Sequence, residues 1–492
     1  VGARRMRELD PRWIGKTFDD FLFRPQRGIS DSRRHIALTS SLTRALEFEL
    51  PIVSANMDSV TGRKMAEAMA LEGGIGIIHR AMPIDRQAEI VTRIKRSYGA
   101  VIEQPFRLPR GTSIRDAKAF ARRHHIHAIL IEESEGSGVL AGLLTARDIP
   151  WMEELEDRPV DDFMTPFERL HTSAPGITED AAERIMFDKR IERLPLVDDD
   201  RHIRGLITLR DILFFRRRPF SSKDPKGRLL VGAAIGARGD YLERAAALVE
   251  ADVDCLVIDI AHGHSDVMAQ AMEEVRNRFD GAQLICGNAA TGDGARFLAE
   301  RGADAVKVGV GPGRGCRTRL ETAAGVPQLQ AIREAWSAVG GDVPIVADGG
   351  IVHDKDIFLA LICGASCVML GSALSGTDES PGHVIEDPAT HNKRKIYRGM
   401  TSPQAVFESH YDDQNGEFDE SAFETPAEGQ EIQVPYRGSV VDILHRIRGH
   451  LRSAVSYAGE ESLAKARGKI LPDPLEYLIP LGDAARRESY ER

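Results

Sequence analysis

Short apolar runs recur along the chain, and they share an ending. Cys255-Leu-Val-Ile-Asp259, Gln283-Leu-Ile-Cys-Gly-Asn288, Ala305-Val-Lys-Val-Gly-Val310, Pro344-Ile-Val-Ala-Asp-Gly349 and Ser366-Cys-Val-Met-Leu-Gly371 each close on or beside Gly, Asp or Asn. Loops and helical stretches follow them, as in Gly294-Ala-Arg-Phe-Leu-Ala-Glu-Arg301. Strands that are apolar on both faces belong to a parallel sheet covered by helices. Pro51-Ile-Val-Ser-Ala-Asn56 and Gly74-Ile-Gly-Ile-Ile78 add two more. Polar residues and glycines gathered at the carboxyl ends of such strands are where a (β/α)8 barrel builds its site. The pattern therefore predicts an α/β chain folded as a (β/α)8 TIM barrel.

One stretch breaks this rhythm. Gly142-Leu-Leu-Thr-Ala-Arg-Asp-Ile149 recurs 63 residues later as Gly205-Leu-Ile-Thr-Leu-Arg-Asp-Ile212. Upstream of each copy lies a capped amphipathic segment and then an apolar strand, His127–Ile131 in the first and Arg193–Val197 in the second. Repetition at a fixed offset marks a tandem pair of small βαββα-like units. The expected organisation is barrel over residues 1–94, an insert over 95–220 with halves at 95–155 and 160–218, and barrel again over 221–492.

Composition narrows the classes. A chain of 492 residues with 42% hydrophobic and 28% charged residues can bury a large core. Its formal charge of −10 argues against a general nucleic-acid binder, which needs excess Lys and Arg facing phosphates. No stretch reaches the roughly 18 uninterrupted apolar residues of a membrane span, so no membrane partner is expected. Five cysteines without zinc spacing fit a reducing cytoplasm and raise the question of a reactive thiol. His124, His125 and His127 lack carboxylate or cysteine partners in sequence and read as a solvated helix end.

The densest chemistry lies in Val308-Gly-Val-Gly-Pro-Gly-Arg-Gly-Cys-Arg-Thr-Arg319. Its glycines let backbone approach a ligand closely. Cys316 stands beside Arg314, Arg317 and Arg319, cations that favour a thiolate. Taken alone, the loop fits a nucleophile or a buried cysteine in a turn equally well. Further on, Gly349-Gly350 and Gly371-Ser372 close two late barrel strands, the usual place for a phosphate cradle in this fold. Asp348, at the end of its strand, can accept hydrogen bonds from ribose hydroxyls. A phosphate-plus-ribose reading explains these three features together, where tight turns and a helix cap would explain them one at a time.

With Ser54-Ala-Asn-Met-Asp-Ser-Val60, Gly73-Gly-Ile-Gly-Ile-Ile-His79, Gly287-Asn288, the Cys316 loop, Ala347–Ile351, Val368–Ser372 and Tyr397-Arg-Gly-Met400, the chain resembles the IMP dehydrogenase/GMP reductase family over nearly its whole length. The 95–220 insert resembles a tandem CBS (Bateman) module. The resemblance implies that Cys316 attacks C2 of a purine nucleotide and forms a thioimidate, with Thr318 near the reacting substituent. It implies Asp348 as ribose ligand, Gly350, Gly371, Ser372 and Tyr397 around the phosphate, and Gly399 and Met400 at the base. Asp259, Ala261, Asn288 and Gly309 are implied near the nicotinamide of the cofactor. Gly311, Gly313 and Cys316 lie in the loop whose carbonyls bind potassium in many relatives. Arg314 departs from the family pattern: it stands where relatives carry a phosphate-binding serine, and it either contacts phosphate or disturbs the cation site. In the insert, Thr145 with Asp148 and Thr208 with Asp211 match the Thr-x-x-Asp pattern that holds nucleotide ribose in CBS modules. That implies ATP/GTP-type effectors acting on a homo-oligomer, tetrameric or octameric. A purely structural insert is the alternative.

The two reactions of the family part at the thioimidate. Dehydrogenases hydrolyse it with an Arg-Tyr pair on a mobile flap, expected here at 401–429. No arginine or lysine occurs between Arg398 and Arg437. The nearest match to the pair is His410-Tyr411. Glu428 stands where reductases use a glutamate with the threonine to protonate departing ammonia, work a carboxyl–hydroxyl relay can do. Asp259-Ile-Ala261, Thr401-Ser402 and Asn56 also resemble the reductase pattern, whereas a CBS insert is commoner among dehydrogenases. The expected activity is NADPH-dependent reductive deamination of GMP to IMP, with Cys316, Thr318 and Glu428 as catalytic residues. Oxidation of IMP with NAD is the second reading, and a nucleotide-sensing protein with an inactive barrel the third.

Overall fold

Eight parallel strands close on themselves. The computed structural model of the chain describes residues 9–97, 101–124, 126–405, 411–412, 417–418 and 426–490. The strands are β1 (Ile52–Ser54), β2 (Ile75–Ile78), β3 (Val231–Ile235), β4 (Cys255–Asp259), β5 (Gln283–Ala289), β6 (Ala305–Val308), β7 (Ile345–Asp348) and β8 (Cys367–Leu370). Hydrogen bonding runs β3-β4-β5-β6-β7-β8-β1-β2 and returns to β3, which leaves no unpaired edge. Closure explains why the runs are apolar throughout: one face of each strand meets the barrel axis and the other a helix. Ile75, Ile77, Val257, Ile285, Val346 and Met369 belong to one buried cluster drawn from strands all round the barrel.

Helices follow the strands in turn: α1 (Arg63–Leu71), α2 (Ile84–Ser97), α3 (Tyr241–Glu250), α4 (Asp266–Arg278), α5 (Gly292–Glu300), α6 (Gln328–Val339), α7 (Asp354–Cys363) and α8 (Val440–Tyr457). Short hydroxyl side chains start several of them. Ser265, Thr291 and Ser439 each accept a hydrogen bond from a first-turn amide of α4, α5 and α8. Helix α7 is apolar almost all round because it is covered on several sides; Ile357, Leu361 and Ile362 share a buried cluster with Leu444, Ile447 and Leu451 of α8. Between β8 and α8 the chain makes a long excursion. Its two feet are the antiparallel strands β9 (Lys393–Arg398) and β10 (Glu431–Pro435), with Arg398 opposite Glu431 and Tyr397 opposite Ile432.

The described residues fall into two units. The barrel unit takes the described residues of 1–95, 220–224 and 229–492, and the other those of 96–219 and 225–228. In the second unit, strands Arg107–Pro109, Ala128–Glu132, Leu140–Thr145 and Thr165–Pro166 form one sheet, and Arg193–Val197 with Ile203–Thr208 another. The duplication is not symmetric. In the second copy the Thr-x-x-Asp turn leads into helix Leu209–Arg216, whereas in the first copy only turn follows. Pro150 accounts for the difference, since it disfavours helical backbone at Ile149 and cannot donate a helical hydrogen bond.

Where the barrel is interrupted, a buried lysine ties its ends. Lys95 Nζ lies 3.0 Å from Asp224 and 2.6 Å from Asp254, and all three side chains are less than 10% exposed. Burial pushes Asp254 up to about 6 even with Lys95 beside it. Lys95→Met strips this ammonium from two buried carboxylates, and a loss of about 3–5 kcal/mol in stability is expected from denaturant unfolding. A second expectation concerns His79, which follows β2 and is buried. Burial pushes its imidazole down to about 4, Asp58 opposing. A group whose pKa is depressed on folding stabilises above its unfolded value, near 6.5, and loses that contribution as pH falls toward 4. Between pH 7 and pH 4, wild type should therefore lose up to ~3 kcal/mol more stability than His79→Gln, as read from urea midpoints across that range.

Candidate active site

The carboxyl ends of the strands meet at one mouth, and the loop after β6 crosses it. Of the five free cysteines, Cys255, Cys286, Cys363 and Cys367 are buried, and burial pushes their thiols up, that of Cys363 to about 12. Cys316 alone is partly exposed. Its Sγ lies 3.1 Å from Thr318 Oγ1, at the start of the short helix Thr318–Thr322. Thr318 Oγ1 in turn donates to Glu428 Oε2 at 2.7 Å. Thiol, hydroxyl and carboxyl thus stand in line although Glu428 is more than a hundred residues away in sequence.

Backbone lacing makes that line possible. Arg317 N donates to Glu428 O at 2.7 Å, Gln430 N to Gly315 O at 3.0 Å, Gly429 N to Thr401 O at 3.1 Å and Gly399 N to Gln430 O at 3.0 Å. Residues 428–430 are therefore threaded between the cysteine loop and the start of the excursion. Gly399 is required there, because a Cβ on it would sit 2.5 Å from the Gly315 carbonyl. The neighbouring arginines divide their roles. Arg317 pairs with Glu321 at 2.7 Å, while Arg319 folds back on the carbonyls of Val310 and Val326, where burial lowers its guanidinium pKa.

On one side of the thiol lie the residues assigned to nucleotide. Asp348 ends β7, and Gly349 and Gly350 follow, packed against Gly313 and against Pro312 with Gln328. The Tyr397 hydroxyl lies 3.0 Å from where a Gly371 Cβ would stand, beside Ser372. Burial pushes this phenol up to about 12, so it remains a hydrogen-bond donor at neutral pH. Met400 directly follows Gly399. Arg314 is exposed, and its carbonyl accepts from the Gln430 side chain at 2.8 Å.

Adjoining these lie the residues assigned to cofactor. Asn288 Nδ2 donates to Gly309 O at 2.6 Å and to Asp348 Oδ2 at 3.0 Å. Asn56 Nδ2 donates to Asp259 Oδ2 at 2.5 Å, and Ala261 is exposed two residues beyond. Between the two sides stands a residue the sequence reading missed. Lys307, 2% exposed, donates to Asp259 Oδ1 at 3.1 Å, to Asp348 Oδ2 at 2.6 Å and to Asn288 Oδ1. Burial by itself would raise Asp259, but the Lys307 charge and the Asn56 hydrogen bond outweigh it and hold the carboxyl below its ordinary value. Burial would likewise lower Lys307, and its two carboxylates raise it instead. One signal was available: Lys307 is the single charge inside the buried run Ala305–Val308.

The remaining expected residues lie elsewhere. Gly311 and Gly313 belong to the cysteine loop, and Gly313 O accepts the Cys316 amide at 3.0 Å. In the second unit each threonine holds its own aspartate. Asp148 Oδ2 accepts from Thr145 N and Oγ1, both at 2.7 Å, and Asp211 Oδ2 from Thr208 Oγ1 at 2.5 Å. His410 lies outside the described residues. Among the described residues, no group of three or more His, Cys, Asp or Glu is placed to hold a metal, and no helix is long and apolar enough to cross a membrane.

Known proteins carry the same barrel. The family model for the IMP dehydrogenase/GMP reductase domain matches residues 15–474. Inosine-5'-monophosphate dehydrogenase of Aquifex aeolicus is 43% identical over 92% of each chain. That of Bacillus subtilis is 42% identical over 92% of this chain and 91% of its own. A solved structure of a cysteine-to-alanine variant of GMP reductase from Trypanosoma brucei, in complex with guanosine 5'-monophosphate, superposes with a TM-score of 0.85. It is 34% identical and covers 96% of this chain and 97% of its own. With its cysteine, threonine and glutamate aligned at the mouth of that shared barrel, this chain belongs to the IMP dehydrogenase/GMP reductase family.

Proposed function

We propose that the protein reduces GMP to IMP with NADPH and releases ammonia through a covalent adduct at Cys316. The observation that carries this reading is the Cys316–Thr318–Glu428 line, at 3.1 and 2.7 Å, whose carboxylate comes from a segment with no arginine or lysine from 399 to 436. The Cys316 thiolate adds to C2 of the purine. Glu428 and Thr318 pass a proton to the 2-amino group, the C2–N bond breaks, and ammonia leaves. A dinucleotide held by Asp259, Ala261, Asn288 and Gly309 would supply hydride to C2; the C2–S bond would then break, returning the thiolate to Cys316 and freeing IMP. Hydrolysis of the adduct would need a group to activate water, and the segment's sequence offers only His410 where the dehydrogenase pair has arginine. Proton movement by a positioned carboxyl and hydroxyl is ordinary general acid work.

Binding roles follow the same division. Asp348 takes ribose hydroxyls, Gly350, Gly371, Ser372 and Tyr397 surround the phosphate with Arg314 at the rim, and Gly399 and Met400 meet the base. Asp259, Ala261, Asn288 and Gly309 line the cofactor side. A potassium ion would be held by the carbonyls of Gly311, Gly313 and Cys316. That of Gly313 keeps one lone pair after accepting the Cys316 amide. The ion would serve to fix the loop. The second unit is read as a tandem CBS module in which Asp148 and Asp211 hold the ribose of ATP/GTP-type effectors and act on a homo-oligomer. A Trypanosoma brucei GMP reductase solved with guanosine 5'-triphosphate, at a TM-score of 0.76 and 31% identity, lends support.

Oxidation of IMP with NAD is a second reading, favoured by the names of the curated relatives. Product analysis separates the two. With GMP and NADPH, absorbance at the nicotinamide band should fall with equal release of ammonia, and IMP with NAD should give no steady NADH. The reverse outcome overturns the proposal. Cys316→Ala should abolish turnover while still binding GMP. Glu428→Gln and Thr318→Val should each lower kcat, on the order of 100- to 10,000-fold. GMP affinity should change little, and single-turnover ammonia release should locate the slowed step.

A further inference from the structure

Lys307 joins groups assigned to different ligands. An ammonium has three N–H donors, and this one has three acceptors: Asp259 Oδ1 at 3.1 Å, Asp348 Oδ2 at 2.6 Å and Asn288 Oδ1. They come from β4, β7 and β5, and Lys307 comes from β6 among them. Register sets Asp259 opposite Gly287 and Gly287 opposite Lys307. Gly287 leaves room for the lysine to cross, because a Cβ there would lie 2.6 Å from Lys307 Cβ. The Asn288 amide has one orientation, its oxygen accepting from Lys307 and its nitrogen donating to Asp348 and Gly309. Asn56 holds the second oxygen of Asp259. Asp348 is held by Oδ2 alone in this network, so Oδ1 carries none of these bonds.

The consequence is electrostatic. A hydroxyl donating to Asp348 draws that carboxylate's charge away from the ammonium, which then bears more strongly on Asp259. Lys307 is buried, so solvent does not screen this exchange as it would at a surface. We propose that Lys307 is a positioning residue that couples the two pockets: a nucleotide at Asp348 and a nicotinamide dinucleotide at Asp259 change one another's affinity through the ammonium they share. The proposal rests on the assignment of Asp348 to nucleotide and Asp259 to cofactor given above. A lysine that only cross-links strands would stabilise the barrel and leave the two affinities independent.

The test uses the full chain carrying Cys316→Ala, so that ligands bind without turnover. The dissociation constant of NADP+ is measured by calorimetry alone, with saturating GMP and with saturating IMP, and the series is repeated with NAD+. Saturating nucleotide should change the cofactor constant by about fivefold or more, within the usual range of couplings between sites. Adding Lys307→Met should bring that factor close to one, and Lys307→Arg should restore part of it. A factor that survives Lys307→Met, or no coupling at all in Cys316→Ala, overturns the proposal. Asp348→Asn, which keeps the ammonium, approaches from the other side should Lys307→Met fail to fold. It should shift NADP+ affinity severalfold with no nucleotide present, and an unchanged constant counts against coupling. Coupling seen with IMP and NAD+ but not with GMP and NADPH's oxidised form would overturn the substrate assignment while leaving Lys307 in its role.

Discussion

A charged amine sealed inside a barrel has to find an acceptor for every proton it carries, and the mouth of this protein is arranged around that requirement. Lys307 meets it with two carboxylates and one amide oxygen drawn from three strands. Each acceptor is fixed in turn, Asp259 by Asn56 and Asn288 by the Gly309 carbonyl and Asp348. Paired and satisfied in this way, the charges are tolerable where an isolated ion would not be. Removing one member would leave the others with an unmet valence, so the network behaves as one object.

The Cys316 thiol depends on a different kind of order. Cys316 and Thr318 are neighbours in one loop, but the carboxylate that completes their line is on the return leg of a long excursion. Strands β9 and β10 hold the two feet of that excursion in register; two backbone hydrogen bonds then draw residues 428–430 against the loop, and two more tie them to residues 399–401. The carboxylate is located by main-chain pairing, and its side chain needs only to reach across to Thr318.

Much of this was readable from residues alone. The apolar runs ending in Gly, Asp or Asn locate seven of the eight strands, because burial on both faces leaves a plain signature. The missed strand, Val231–Ile235, is rich in Gly and Ala and lacks the bulky run that marks the others. The tandem repeat was visible as repetition, yet the loss of the last helix in its first copy turned on one proline. Cys316, Thr318 and Glu428 could be named from a family pattern, whereas their alignment could not, since it depends on register between strands far apart in sequence. Lys307 escaped notice for a related reason: a lysine in a strand reads as an edge or a surface until its acceptors are seen.

The pinning of residues 399–402 and 428–430 is done by main-chain hydrogen bonds. It sets where the Glu428 carboxylate stands without calling on any residue between 403 and 427. Substitutions or changes of length between 403 and 427 can therefore be taken up while thiol, hydroxyl and carboxyl keep their places. One barrel can in this way tolerate change in the connecting sequence, because the three groups at its mouth are set by backbone pairing at its ends.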